Sequence, residues 1–230
     1  MSVTSGRVLR AWTARSAVVL GVVFATAACG GGDAPKPRGG ASEAVSAAAL
    51  KTCQEVFGAA DVDALRSELG SGFRPFGRSL TEMRDRLVAE ARGWTAGQDD
   101  LRRTTYHPCE LEGGGDGGAA RITATVAWST YDIDFVRSGE GRLRWRETGE
   151  GAYTASRSDG WGIPLVMPCT VPGSSAGQGR ELPLQVAVKD EGRTGDPAVP
   201  TERLLKSLAE KTRGLLGCTE KLTVPADLLP

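Results

Sequence analysis

Neither sign of charge dominates this chain, and histidine is nearly absent from it. Lysine plus arginine and aspartate plus glutamate number 28 each, and His107 is the single histidine in 230 residues. Nucleic-acid binding needs a concentrated basic face to neutralise phosphates, so this balance gives no reason to expect that partner. A hydrolase elbow is poorly served too. Gly173-Ser174-Ser175-Ala176-Gly177 satisfies G-x-S-x-G, but the elbow wants a strand before its serine and a helix after it. Pro172 precedes this run, a further strand is expected after it, and His107 lies upstream where the elbow's order places it downstream.

Long apolar runs are missing as well. SAVVLGVVFATAA, residues 16–28, spans roughly 20 Å as a helix, short of the roughly 30 Å hydrocarbon core. Three arginines and no acidic residue precede its end, so residues 1–28 read as a signal peptide. Removing Arg7, Arg10 and Arg15 leaves 25 basic against 28 acidic groups, a net charge of −3. Ala25-Thr26-Ala27 suits ordinary signal peptidase, whereas Thr26-Ala27-Ala28-Cys29 resembles a bacterial lipobox with Thr26 in place of its usual leucine. GGGDAPKPRGGAS, residues 30–42, then has the composition of a flexible tether.

Cysteine parity separates Cys29 from the rest. Cys53, Cys109, Cys169 and Cys218 are even in number and can pair among themselves in an oxidising compartment. Cys29 is then the odd one, and acceptance of a thioether-linked diacylglycerol is the simplest use for it.

An internal repeat organises the remainder. PCELEGGGDGGAARITATVAW (108–128) aligns without a gap on PCTVPGSSAGQGRELPLQVAV (168–188), at an offset of 60 residues. Ile122, Ala124, Val126 and Trp128 meet Leu182, Leu184, Val186 and Val188, the period-two pattern of a strand with one buried face. Each copy predicts a hairpin with a cysteine in its first arm and a Gly-rich turn. Helices are expected over 43–57, 60–69 and 80–92, the last opening on the capping box Ser79-x-x-Glu82. A final helix is expected from Thr201, with Leu204, Leu205, Leu208, Leu215 and Leu216 on one stripe and Gly217 ending it.

Each hairpin thus has one cysteine-bearing helix beside it, which suggests Cys53–Cys109 and Cys169–Cys218 among three possible connectivities. Bridges closing 56 and 49 residues are each worth about 4 kcal/mol in the chain-entropy model. The expected fold is α+β: an antiparallel sheet of about six or more strands with flanking helices on one face. It comprises two related hairpin-plus-helix halves, each stapled by one disulfide. The divisions are 1–28, a lipidated cysteine and tether over 29–43, a first half over 44–136, a connecting hairpin over 137–160 and a second half over 161–230.

Other patterns have plain readings. Gly113-Gly114-Gly115-Asp116-Gly117-Gly118 matches G-x-G-x-x-G but leads into a strand, so it reads as a turn. Asp132 and Asp134 in YDIDF would point the same way on a strand, as cation ligands, as glycosidase-like carboxylates or as a solvated edge. His107 beside Cys109 reads as a surface residue or a satisfied neighbour of the core, the cysteines being too widely spaced for a zinc knuckle. Arg142, Arg144 and Arg146 form a stripe suited to anionic lipid or wall polymer, or to guarding an edge strand. Trp128 and Trp145 read as core, while Trp161 between two glycines is a candidate exposed contact.

The Cys29 boundary, the Gly/Pro stretch, TCQEVFGAADVDALRSELG (52–70) and the closing LLGC at Cys218 together resemble the uncharacterised lipoproteins of high-GC Gram-positive bacteria. The 52–70 stretch looks like a lipoprotein domain of unknown function with paired disulfides. That resemblance implies an envelope location and carries no catalytic residues. The resulting expectation is a non-enzymatic binding or structural module on the outer face of the cytoplasmic membrane, or secreted if Cys29 is not lipidated. Its partners would be the membrane, through the lipid, and an envelope protein or polymer, with no metal or cofactor. The contact area would lie between the two repeats near Trp161 and the arginine stripe. The alternative is an envelope hydrolase using paired carboxylates such as Asp132 and Asp134.

Overall fold

In the computed structural model the chain divides into Met1–Pro37 and Arg38–Pro230. The described residues are 39–97, 103–115, 118–140, 143–155, 162–193, 195–225 and 228, all in the second unit. The signal segment, Cys29, Arg142 and Trp161 lie outside them.

The elements are α1 (Gly39–Phe57), α2 (Ala59–Leu69), β1 (Arg74–Gly77), α3 (Leu80–Gly93), β2 (Cys109–Gly115), β3 (Gly118–Trp128), α4 (Ile133–Ser138), β4 (Trp145–Gly149), β5 (Ala152–Ala155), β6 (Ile163–Met167), α5 (Gln178–Glu181), β7 (Leu184–Glu191) and α6 (Thr201–Leu216). The strands form one antiparallel sheet in the order β1-β2-β3-β7-β6-β5-β4. The α+β class is as expected. Helix α1 opens at Gly39, so the last residues assigned to the tether are helical. Among the described residues no helix is long and apolar enough to cross a membrane.

Period-two burial places the core. Ile122, Ala124, Val126 and Trp128 of β3 and Leu184, Val186 and Val188 of β7 face one side. Against them pack Val56 and Phe57 of α1, Leu65 of α2, Leu87 of α3, and Leu204, Leu205 and Leu208 of α6. Ser79 caps α3 by accepting from the Glu82 N–H at 3.2 Å. The buried Trp128 indole donates to the Leu87 carbonyl at 3.1 Å, giving the ring's one polar atom the partner its burial requires.

Both expected disulfides are present. Cys53 on α1 joins Cys109 at the start of β2, and Cys169 joins Cys218 just past the end of α6.

The repeat survives in the sheet, with a correction. Val126 and Val186, equivalent at the 60-residue offset, pair with each other at the β3–β7 seam, as a local two-fold axis there would require. Strand β2 flanks β3 and β6 flanks β7 on the outer sides. In the first copy the chain bridges Val126 at Tyr106 and runs on through Cys109 as β2. In the second it leaves the sheet at Met167, so Cys169 lies in a loop beyond the strand rather than in a hairpin arm.

The matching glycines serve different ends. Gly173 and Gly177 have φ of 84° and 85°, which L side chains rarely adopt. Gly113 instead sits under the end of α2, where a Cβ would come within 2.5 Å of the Leu69 carbonyl oxygen. A shared turn requirement therefore does not explain the pair Gly113 and Gly173.

Three further expectations are corrected. Asp132 and Asp134 lie at the start of a helix, α4, not on a strand. Ile133 and Val136 of α4 pack with Tyr153 and Val166 on the face opposite the main core, so the helices do not all share one face. The connecting hairpin β4–β5 forms a sheet edge beyond β6 instead of bridging the halves, which meet directly at β3–β7. Strand β1, which the sequence did not announce, forms the other edge.

Candidate functional site

The face opposite the main core is only partly covered. Thr123, Thr125 and Ala127 of β3 and Gln185, Ala187 and Lys189 of β7 alternate with the core residues and so point to this side. Helix α4 covers it at one end. Beside α4 lies a cleft of about 360 Å³, with Ala127 from the first half, Pro164 and Gln185 from the second, and Leu143 and Trp145 from the connecting segment.

Tyr131 forms one wall. It precedes the Asp132 cap, whose carboxylate accepts from the Phe135 N–H at 2.7 Å and starts α4. That turn brings Phe135 under Tyr131, their rings stacked at 4.8 Å and 10°. The Trp145 ring stands edge-on to Tyr131 at 6.3 Å and 68°. Backed by Phe135 and still 39% exposed, Tyr131 is a braced aromatic surface open to solvent. Arg103, Thr105 and Thr130 complete the rim.

Several other arginines of the fold have acidic partners. Arg137 pairs with Asp134 at 3.4 Å and donates to the Tyr153 hydroxyl at 3.2 Å; chiefly through that bond, its pKa is raised above the ordinary value. Arg180 pairs with the same Asp134 at 2.5 Å, and Arg121 pairs with Glu112. Arg193 sits among Asp190, Glu68 and the Val199 carbonyl. Burial disfavours its charge, but hydrogen bonds and charge from Asp190, with Glu68, outweigh this and hold its pKa above the ordinary range. The Arg103 Nε is buried without a hydrogen-bond partner, and among the described residues no carboxylate lines the cleft beside it.

A second hollow adjoins the cleft through Thr105 and continues along the same face. It has mixed charge, from Glu110, Arg121, Lys189 and Glu191. His107 lies there, exposed, with Nδ1 3.3 Å from the Thr125 hydroxyl, in keeping with a surface role. Tyr106, one residue before it, has a pKa raised chiefly by burial.

The other sequence candidates fall elsewhere. Asp132 is used as a helix cap and Asp134 as the joint acceptor of Arg137 and Arg180, and neither lines the cleft. They do not form a convergent carboxylate pair. Ser175 donates to the Trp94 carbonyl at 3.2 Å in a loop that precedes one short helical turn, and no strand leads into it. Arg144 is exposed ahead of β4, and Arg146 donates to the Leu228 carbonyl at 2.8 Å, which ties the C-terminal segment to an edge strand. Trp128 is buried in the main core, Trp145 packs half-buried on the smaller core of Ile133, Val136, Tyr153 and Val166 on the other face, and both residues line the cleft. Among the described residues no three of His, Cys, Asp and Glu gather as a metal site would require.

Sequence reading missed Arg103, Tyr131, Leu143 and Gln185. Gln185 carried a faint signal as the polar member of the apolar run LPLQVAV. Arg103 carried none, since its place in the cleft depends on the fold. Compared with protein-family models, curated proteins and solved structures, the chain matches none.

Proposed function

We propose that this chain is an exported lipoprotein held at the outer face of the cytoplasmic membrane through Cys29, and that it acts there as a binding module. The resemblance to lipoproteins of high-GC Gram-positive bacteria belongs to this reading. The observation that carries it is the cleft. It draws its walls from both halves and the connecting segment, and it presents an open aromatic surface and an arginine with an unpaired Nε. Sites for small ligands are commonly concave and largely apolar, with a few polar groups that set orientation. The two disulfides account for four of the five cysteines, which supports a separate use for Cys29. The hydrolase alternative has lost its carboxylate pair to a helix cap and to ion pairs.

Two measurements test the proposal. Cys29→Ser should shift the protein from the membrane fraction to the medium or alter its processing; unchanged attachment would sink the anchor. A photo-reactive amino acid at position 131, introduced in intact cells, should form an adduct with an envelope component, and Trp145→Ala should reduce it. Absence of any adduct would remove the cleft as the contact area.

A further inference from the structure

Resting on the binding-module reading, we infer that the cleft takes a saccharide ring bearing a carboxylate, with Arg103 holding the acid and Tyr131 and Trp145 the ring. Three observations converge on this chemistry. The first is size: about 360 Å³ lies at the low end of the roughly 300–1,000 Å³ typical of small-molecule sites. The space suits one or two rings.

The second is the lining. The stacked Tyr131–Phe135 pair and the edge-on Trp145 make a corner of flat apolar surface. Thr105, Thr130 and Gln185 add groups that both donate and accept hydrogen bonds. A ring with one apolar face and a hydroxyl-bearing edge uses both features. A purely aromatic acid would leave the polar groups unmatched.

The third is charge. Arg103 has a buried Nε without a partner, and none of the described lining residues is acidic. A guanidinium presents a planar fork of donors that a carboxylate accepts in bidentate fashion, and a charge-assisted pair of this kind is stronger than a neutral hydrogen bond. Among the described residues that line the cleft no carboxylate faces Arg103, whereas Arg137, Arg180 and Arg193 each have one, so an anionic ligand would complement the cleft.

The test uses the full chain extracted in mild detergent and titrated with matched acid and neutral sugars. The pairs are glucuronic acid with glucose, and N-acetylmuramic acid with N-acetylglucosamine, followed by tryptophan emission and calorimetry. The acid of at least one pair should bind saturably and about tenfold or more tighter than its neutral counterpart, with affinity falling as salt rises. Arg103→Gln should abolish that preference and Arg103→Lys should retain part of it. The salt dependence is measured on the unaltered protein, so it stands even if a variant fails to fold. Equal binding of acid and neutral sugars, an acid preference that survives Arg103→Gln, or no saturable binding by any of the four overturns the inference. A position-131 adduct in cells without an acid preference in the titration refutes the sugar-acid ligand alone. No adduct removes the cleft as the contact area, and with it the reading on which the sugar-acid ligand rests.

Discussion

Gln178 has no exposed surface, yet every polar function of its amide is used. Its oxygen accepts from the Val171 N–H at 2.9 Å and the Ser174 hydroxyl at 3.0 Å, and its nitrogen donates to the Cys169 and Leu182 carbonyls at 3.1 and 3.0 Å. One side chain thus ties together the loop that carries the second copy away from the sheet. Gln178→Ala strands several of these groups away from water, at about 1–3 kcal/mol for each buried group left unmade. The expected net loss is about 2–3 kcal/mol, read as a lower urea midpoint with an unchanged slope. A loss near zero would mean that water replaces the amide. The sequence shows Gln178 only as a polar residue between Gly177 and Gly179; its four partners become visible once the loop is closed.

At the scale of elements, the two staples are chemically alike but unequally shielded. Cys53, Cys109 and Cys169 have no exposed surface, whereas Cys218, one residue beyond the left-handed Gly217 cap of α6, is partly exposed. Thiol–disulfide exchange needs access to a sulfur. Under mild reductant in native buffer, alkylation and peptide mapping should therefore find Cys169–Cys218 opened before Cys53–Cys109. The reverse order would show that α1 lifts off the sheet more readily than the end of α6. The sequence favours this pairing over two other connectivities because each cysteine accompanies an expected helix or hairpin, and the fold has it. The unequal shielding could not be read from the sequence, because it depends on Cys169 lying in a loop and on where α6 stops.

Within Arg38–Pro230 the two halves suggested by the sequence form one folding unit. Strand β3 of the first half and β7 of the second are neighbours over eight residue pairs at the centre of the sheet, and their buried faces share one core. Separating the halves would expose Val126 and Val186 together with the helices packed on them. Calorimetry should accordingly show a single transition whose calorimetric and van't Hoff enthalpies agree. Two resolved transitions would mean that the halves are stable apart and that the seam is an interface.

By itself the sequence determined the local pattern: most helix spans, the period-two strands and the Ser79 cap; it favoured one disulfide pairing of three without deciding it. These follow from spacing, capping chemistry and parity, all of which act over a few residues or within one motif. Tertiary structure alone decided the order of strands, the placement of α4 on the second face and the departure of Cys169 from its expected strand. It also decided that Tyr131, Trp145 and Arg103 would meet beside β3 and β7. Such outcomes depend on long-range pairing, which sets what covers each face and which charges find partners. The YDIDF segment shows the difference most plainly: its alternation reads as a strand, and the Asp132 cap with the packing of Ile133 and Val136 makes it a helix.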